Sequence, residues 1–195
     1  MGIIMLSINY SEFNNLNSNC SFISNDCSHW YVVQTLAGQE KKLAAMANFL
    51  SEQKFNIYIP AREVIHKIKG EEFVVNLPIF PGYIFIYKHI DDFIKKINDS
   101  TLNIFAKPVQ ANGKYLEVSP KEMKFLFDIA GNDGVISISR VIILKDQKVK
   151  IVKGPLKNFE GKILFINKRK NKAKVRMEIM NRIVEVSLGF EILEI

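Results

Sequence analysis

The sequence contains little cysteine, and this scarcity limits both disulfides and metal sites. Only Cys20 and Cys27 are present, and both fall in the first 29 residues. Together with His29 they would supply three zinc ligands, but a fourth ligand is missing and the spacing matches no common zinc motif. The rest of the chain has no cysteine, so its fold cannot depend on a disulfide. We therefore predict two free thiols in a reducing cytoplasm, with no metal and no other cofactor.

The sequence also lacks a hydrophobic run long enough to cross a membrane. The longest charge-free apolar stretch extends from Phe73 to Tyr87 and is interrupted by two prolines and a glycine, whereas a membrane-spanning helix needs about 20 consecutive apolar residues. Residues 1–8 are mostly apolar, but no basic segment precedes them and no small-residue cleavage site follows, which argues against a secretory signal. We expect a cytoplasmic protein with no membrane partner.

Groups suited to catalysis are scarce. The three histidines, His29, His66 and His89, are scattered, and the sequence has no glycine-rich phosphate-binding loop. A catalytic site needs a nucleophile, a base and an orienting group that can be nominated together. The sequence offers no such set, so we predict that the chain is not an enzyme and has no catalytic residues.

Positive charge, in contrast, is abundant and concentrated towards the end of the sequence. Residues 1–144 contain 14 basic and 14 acidic residues, which cancel, whereas residues 145–195 contain 13 basic and 6 acidic residues. The whole formal net charge of +7 therefore belongs to the second segment. A basic segment attached to a neutral one indicates that the basic part contacts phosphate, although lysine-rich surfaces also serve solubility.

Residues 30–130 alternate between strand and helix patterns. Trp30–Gln34 is β-branched and aromatic and predicts a strand, and apolar residues at helical spacing within 39–53 predict an amphipathic helix. Ser119 followed by a proline is typical of a helix start. We therefore predict an α/β sandwich with helices packed on a mainly antiparallel sheet, preceded by a disordered Asn/Ser-rich tail at 1–29. Further predicted elements are a hairpin at 65–75, strands at 83–87 and 102–105, and a short helix at 91–98.

The remainder of the chain predicts only short strands. Gly131-Asn132-Asp133-Gly134 interrupts the pattern, so we place a linker at 131–144. Short strands remove their exposed edges by closing into a small barrel, which we assign to 145–195. Its five predicted strands are 148–152, 162–166, 172–179, 183–188 and 191–193. The predicted fold class is therefore α+β, with an N-terminal α/β sandwich and a small C-terminal β-barrel.

One set of motifs resembles the first domain of a known family. Trp30-Tyr31-Val32-Val33 is followed by Gly38 and Glu40, and then by Pro81-Gly82-Tyr83-Ile84-Phe85. These residues resemble the N-terminal (NGN) domain of the NusG transcription factors.

A second set resembles the other domain of the same family. Residues 147–177 contain Lys153-Gly154-Pro155-Leu156 and Phe159-Glu160-Gly161, and they are similar to the KOW motif, which forms an SH3-like barrel. KOW segments also occur in ribosomal proteins, but both motifs stand here in the family's order and separation over 30–195. The resemblance implies a transcription elongation and antitermination factor.

Two positions depart from the housekeeping pattern of the family. Leu156 stands where phenylalanine is usual, and Met180-Asn181-Arg182 stands where an aromatic-Gly-Arg triplet is usual. The basic barrel is a third departure. These differences indicate a specialised paralogue, and the chain resembles the antiterminator subgroup called LoaP.

The resemblance implies a contact with RNA polymerase. In the family, an apolar patch of the N-terminal domain docks onto the clamp helices of the polymerase, and the matching positions are Tyr83, Phe85 and Phe105. The period-two rule places Tyr83 and Phe85 on one face of their strand, where aromatic rings suit a docking role or form ordinary core. Lys95 and Lys96 match positions near the opposite side of the polymerase cleft and the upstream DNA, although a solvated helix end is the simpler interpretation.

The barrel carries the predicted RNA contacts. Basic residues at alternate positions of 172–177 share the outer face of one strand, while Ala173, Val175 and Met177 enter the core. A band of cations allows several phosphate contacts, so affinity should fall steeply with salt. Aromatic residues for stacking are few, which favours a structured RNA such as a hairpin over extended single strands. The predicted RNA-binding residues are Lys148, Lys150, Lys168, Arg169, Lys170, Lys172, Lys174 and Arg176.

An alternative interpretation gives the barrel a protein partner. The resemblance to housekeeping members implies that this partner is either the termination factor Rho or a small-subunit ribosomal protein. Both interpretations keep RNA polymerase as the partner of the first domain, and in both we expect a monomer. The departures at Leu156 and at 180–182 favour RNA.

Overall fold

The computed structural model describes residues 27–51, 54–69, 71–101, 103–130, 134–144, 148–159, 161–180 and 182–193. The predicted tail, with Cys20, lies outside this part of the chain except for its last three residues. None of the described helices is long and apolar enough to cross a membrane.

An antiparallel sheet forms the centre of the N-terminal part. Its strands run in the order β2 (Ile57–Tyr58), β5 (Tyr83–Tyr87), β1 (Trp30–Gln34) and β6 (Lys107–Pro108), and β9 (Glu117–Val118) also pairs with β1. All of these pairings are antiparallel, as predicted.

Helices cover both faces of this sheet. α1 (Glu40–Leu50) and α2 (Ile90–Asp99) pack on one face, because their buried side chains share a hydrophobic cluster with Ile84 and Ile86 of β5. α3 (Pro120–Ala130) packs on the other face, in the cluster that contains Phe85. Side chains at alternate positions of β5 therefore pack into two different hydrophobic cores, one on each face of the sheet. The predicted α/β sandwich is confirmed.

The start of α3 shows why the sequence signal was reliable. The hydroxyl of Ser119 accepts the N–H of Glu122 at 3.3 Å, and the carboxylate of Glu122 accepts the N–H of Ser119 at 3.1 Å. This reciprocal pair is a capping box, which satisfies donors that the first helical turn leaves without partners.

A long hairpin extends from the sandwich. β3 (Ala61–Ile68) and β4 (Glu71–Pro78) pair along their whole length, and β10 (Val135–Ile136) adds to β3 in parallel. A smaller hairpin joins β7 (Gln110–Ala111) to β8 (Lys114–Tyr115).

The predicted strand at 102–105 is wrong for its described residues. Residues 103–106 contain no strand, and β6 begins only at Lys107. The hydroxyl of Thr35 donates to the carbonyl of Phe105 at 2.7 Å. A side chain therefore satisfies this backbone group without a strand partner.

Five strands form the C-terminal sheet, which follows the order β12-β11-β15-β14-β13. These strands, and the 3₁₀ helix that follows β12, have these bounds: β11 (Ser139–Ile143), β12 (Val149–Lys153), the 3₁₀ helix (Pro155–Phe159), β13 (Ile163–Asn167), β14 (Lys172–Ile179) and β15 (Arg182–Ile192).

The sequence predicted the number of these strands correctly but not their identity. The segment 183–188 and residues 191–192 of the last predicted segment are parts of one strand, β15. The fifth strand is β11, which lies inside the predicted linker at 131–144. β11 pairs in parallel with β15, and Val141 is fully buried. The assignment of 131–144 as a linker is therefore wrong for 135–143, because burial of this β-branched run outweighs the preceding turn signal.

The two parts of the chain share one hydrophobic cluster. Phe125 of α3 meets Phe159 of the 3₁₀ helix edge to face, with ring centroids 5.8 Å apart. Nearby, the N–H of Ile138 donates to the carboxylate of Glu63 in β3 at 2.9 Å. The barrel is therefore docked on α3 and on the base of the β3–β4 hairpin.

Candidate functional site

The two motifs of the N-terminal part meet at a buried carboxylate. Glu40 is 2% exposed, and its Oε1 atom accepts the N–H of Gly38 at 3.1 Å and the N–H of Gly82 at 2.6 Å. Gly82 has a φ of +83°, and the carbonyl of Thr35 lies 3.1 Å from where a Cβ atom would be. Only glycine fits this turn without strain. Glu40 thus fixes the turn that leads into Tyr83.

An apolar patch lies at the carboxyl end of β1. We define it as Leu36, Tyr83 and Phe105. Tyr83 pairs with Gln34 and is half-buried, while Leu36 and Phe105 are exposed, Phe105 to 44%. The hydrogen bond from Thr35 to the Phe105 carbonyl holds the third residue beside the strand. Leu36 was not predicted from the sequence, although a large apolar residue two positions after a strand was a signal for it.

Phe85 does not belong to this patch. Its side chain is 0% exposed and packs against Tyr58 and Phe80, with ring centroids 6.3 and 5.9 Å apart. The prediction that Phe85 faces a partner is therefore wrong for this conformation. Helices cover both faces of β5. Side chains at alternate positions therefore enter two different cores, and neither face of the strand is left as surface.

Lys95 and Lys96 are exposed on α2, on the face of the sheet opposite α3. Lys96 borders a cleft of about 290 Å³, which is also lined by Lys54, His89 and Asp92. The two lysines are thus accessible, which fits both a contact with upstream DNA and a solvated helix end.

The outer face of β14 follows the predicted alternation. Ala173, Val175 and Met177 are buried, whereas Lys174 and Arg176 are exposed. Lys174 is engaged by Glu185 of β15, with 2.9 Å between Nζ and the carboxylate oxygen. The hydrogen bond from Lys174, its charge and the charge of Arg176 lower the pKa of the Glu185 carboxyl from its ordinary value. Part of the positive charge of β14 is therefore already neutralised.

The turn between β13 and β14 and the start of β14 carry three cations with no acidic partner among the described residues. The side chain of Asn167 accepts the N–H of Lys170 at 2.9 Å and shapes this turn. Within the described ranges, no carboxylate lies within salt-bridge distance of Arg169, Lys170 or Lys172. These three residues, with Ile65, His66 and Asn171, line a cleft of about 240 Å³ between the β3–β4 hairpin and the barrel. We call Arg169, Lys170 and Lys172 the turn cations. Lys168, from the same turn, is half-buried.

Lys148 and Lys150 do not join the turn cations directly. Both are exposed, and Lys150 is part of β12. In the order of the sheet, β11 and β15 separate β12 from β14. The structure therefore divides the predicted band of eight cations into two groups.

Two further features bear on chemistry. A cleft of about 390 Å³ lies between α3 and the barrel and is lined by residues that include Phe125 and Lys162, whose Nζ is 5.9 Å from the Phe125 ring centroid. In the part of the chain that the structure describes, no three His, Cys, Asp or Glu side chains are grouped to hold a metal ion. Polar contact and apolar docking are the chemistry that these surfaces support.

Comparison with known proteins identifies the family. Residues 28–127 match the family model described as "Transcription termination factor nusG". The "Transcription termination/antitermination protein NusG" of Thermus thermophilus is 30% identical over 175 residues, which cover 83% of this chain and 95% of that protein. This chain belongs to the NusG family. The Bacillus subtilis protein of the same name is 26% identical over 170 residues, covering 83% of this chain and 95% of that one.

Among solved structures, the one described as "Domain interaction in Thermotoga maritima NusG" matches with a TM-score of 0.47. The match is 21% identical and covers 83% of this chain and 93% of that one.

The departures from the usual NusG pattern occupy two kinds of environment. Leu156 is buried in the 3₁₀ helix, so its side chain belongs to the barrel core. Met180 is half-buried between β14 and β15 with a φ of +53°, and Asn181 lies outside the described residues. Neither Leu156 nor Met180 is therefore fully exposed.

Proposed function

We propose that this NusG-family protein is an elongation and antitermination factor of the LoaP type, which binds RNA polymerase through its N-terminal part and nascent RNA through its KOW barrel. The observation that carries the proposal is the presence of two accessible surfaces with different chemistry. The apolar patch lies on the central sheet, and the turn cations lie on the barrel. The factor acts in the cytoplasm as a monomer, by bridging the polymerase cleft and keeping the clamp closed.

The apolar patch supports the polymerase contact. A few side chains near the centre of a protein interface, many of them aromatic, commonly supply most of its binding free energy. Glu40 holds the turn before Tyr83 through Gly82, so the patch is preorganised and loses little conformational entropy on docking. Lys95 and Lys96 would approach upstream DNA as secondary contacts.

Substitution within the patch tests this contact. Phe105→Ser should weaken binding to core RNA polymerase on the order of tenfold or more, as for a hot-spot residue. Phe49→Ser is the matched control, because Phe49 is the more exposed ring and lies on α1. Equal affinities of both variants and the unsubstituted chain, measured by fluorescence anisotropy, would exclude the patch as the docking site.

The turn cations support the RNA contact. Their charge is not neutralised by a described carboxylate, so phosphates can approach without displacing an ion pair. The cleft beside them would admit a phosphate between the barrel and His66. Lys148, Lys150, Lys168, Lys174 and Arg176 would add weaker contacts around this centre.

Charge reversal tests the RNA contact. Lys170→Glu with Lys172→Glu should weaken binding to a hairpin RNA by about tenfold or more. The double substitution should also reduce the slope of log affinity against log salt by about 1.4–1.8, the contribution of two phosphate contacts. Lys114→Glu, on β8, makes the same kind of charge change elsewhere and should have little effect. Unchanged RNA affinity in the double variant at low salt would contradict the proposal.

Transcription in vitro distinguishes the leading proposal from its alternative. Read-through of a terminator should rise when the protein and a leader RNA that it binds are both present. Capture of Rho or a small-subunit ribosomal protein by the full chain, without RNA affinity, would instead favour a protein partner for the barrel.

A further inference from the structure

An irregularity in β13 places an aromatic ring on the outside of the barrel. Ile163 pairs with Val175, but the register shifts so that Phe165 pairs with Lys174 and Ile166 with Ala173. Regular alternation would instead put Phe165 opposite Ala173, whose side chain is buried. The extra residue, Leu164, thus acts as a β-bulge that turns Phe165 from the core to the surface.

Phe165 differs in this respect from the other phenylalanines of the barrel. Its side chain is 59% exposed, whereas Phe159 and Phe190 are fully buried. Burial of a phenylalanine is normally favourable, so a bulge that exposes one sacrifices stability. Strand periodicity in the sequence gives no sign of a bulge, so it does not predict that Phe165 is exposed.

The surroundings of Phe165 are cationic. Its cross-strand neighbour is Lys174, whose charge Glu185 partly neutralises, and the turn cations follow within a few residues on the same hairpin. Leu164 is also exposed, which widens the apolar surface beside the ring. An aromatic face next to phosphate-binding cations is the arrangement by which proteins hold unpaired bases. A protein partner that covered the ring would have to desolvate these lysines as well.

We propose that Phe165 is a stacking platform for an unpaired base of RNA whose backbone phosphates bind Arg169, Lys170 and Lys172. This inference rests on the proposed RNA-binding function and specifies its ligand: a hairpin with an accessible loop or bulged base, instead of a fully paired duplex. Stacking tolerates any base, because every base has a π-face.

Two RNA probes separate stacking from phosphate contact. One is a hairpin with a six-nucleotide loop that carries 2-aminopurine, and the other is a blunt duplex formed from the same stem. Phe165→Leu keeps an apolar side chain but removes the ring, and it should weaken binding to the looped RNA by about 5- to 150-fold while leaving duplex affinity within about twofold. Phe165→Trp should keep the affinity and add a tryptophan whose fluorescence the loop base quenches.

The controls distinguish failure of this inference from failure of the proposed function. Lys170→Glu should weaken both probes, and Phe49→Leu, at an exposed ring on α1, should weaken neither. Loss in Lys170→Glu with no loss in Phe165→Leu would overturn stacking but leave RNA binding in place. Equal loss of both probes in Phe165→Leu would also overturn it.

Three more outcomes are decisive. If neither probe binds the unsubstituted chain, the proposed RNA function fails and the stacking inference fails with it. If Phe165→Leu keeps its RNA affinity but no longer captures Rho or a ribosomal protein, the ring serves a protein interface. A DNA hairpin of the same sequence, bound as tightly as the RNA, would widen the ligand class to unpaired bases of either nucleic acid.

Discussion

Replacing Gly189 with alanine should push the barrel away from the β3–β4 hairpin. A Cβ atom at this position would lie 2.9 Å from the carbonyl oxygen of Glu63 and 3.3 Å from Cγ1 of Ile138. Non-bonded heavy atoms prefer a separation of about 3.5 Å or more, so β15 and β3 would have to separate by roughly half an ångström.

The atoms around Gly189 cannot move aside easily. Glu63 is paired with Asn76 in the β3–β4 ladder, and its carboxylate accepts the N–H of Ile138. Overpacking of this kind costs about 1–3 kcal/mol. A glycine-to-alanine change in a strand with free space would instead stabilise the fold by roughly 0.4–1 kcal/mol. Gly189→Ala should therefore lower the free energy of unfolding, whereas the same change in free space would raise it.

Urea denaturation of the full chain measures whether Gly189→Ala lowers or raises the free energy of unfolding. Hydrogen exchange at the Ile138 amide reports separately whether the contact with Glu63 has opened. Ser187→Ala, two residues earlier in β15, is the control and should change the free energy of unfolding by less than about 0.5 kcal/mol. A Gly189→Ala variant that is at least as stable as the unsubstituted chain, with unchanged exchange at Ile138, would refute the close packing of the two parts.

Three further predictions concern single side chains. Glu40→Ala should lower the free energy of unfolding by about 1–3 kcal/mol, because the buried N–H of Gly82 loses its acceptor, while Glu40→Gln should cost less; chemical denaturation compares them. Glu185→Gln should raise RNA affinity about two- to fivefold by releasing Lys174, as one added phosphate contact would. Because the pKa of Glu185 is lowered, the unsubstituted chain should gain this affinity only as pH falls through that lowered pKa, and a gel-shift series over pH checks the sign. Ser119→Ala should destabilise the chain by about 1 kcal/mol through loss of the α3 cap, measured as a fall in Tm.

The sequence predicted those elements whose signals are local. The helix start at Ser119 and the alternation along β14 depend on neighbours within a few residues, and both appear in the structure as expected. The hydrophobic stripe of α1 is of the same kind, since Leu43 and Ala47 are buried. Such patterns are set by the periodicity of helix and strand, which the sequence displays directly.

The features that were missed depend on distant parts of the chain. β11 forms because it pairs in parallel with β15, and no residue within 131–144 predicts that partner. Phe85 is buried because α3 covers a face that strand periodicity alone leaves open. Phe165 is exposed because its register with β14 shifts by one residue. In each case the outcome is decided by tertiary pairing.

The connection between β10 and β11 is very short, so it can transmit force. Only Ser137 and Ile138 separate a strand that pairs with the hairpin from a strand of the barrel. Two residues span at most about 7 Å, so the connection contains almost no slack. If the barrel holds the transcript and the apolar patch binds RNA polymerase, as proposed, this short connection would transmit a pull on the transcript directly to the β10–β3 pairing.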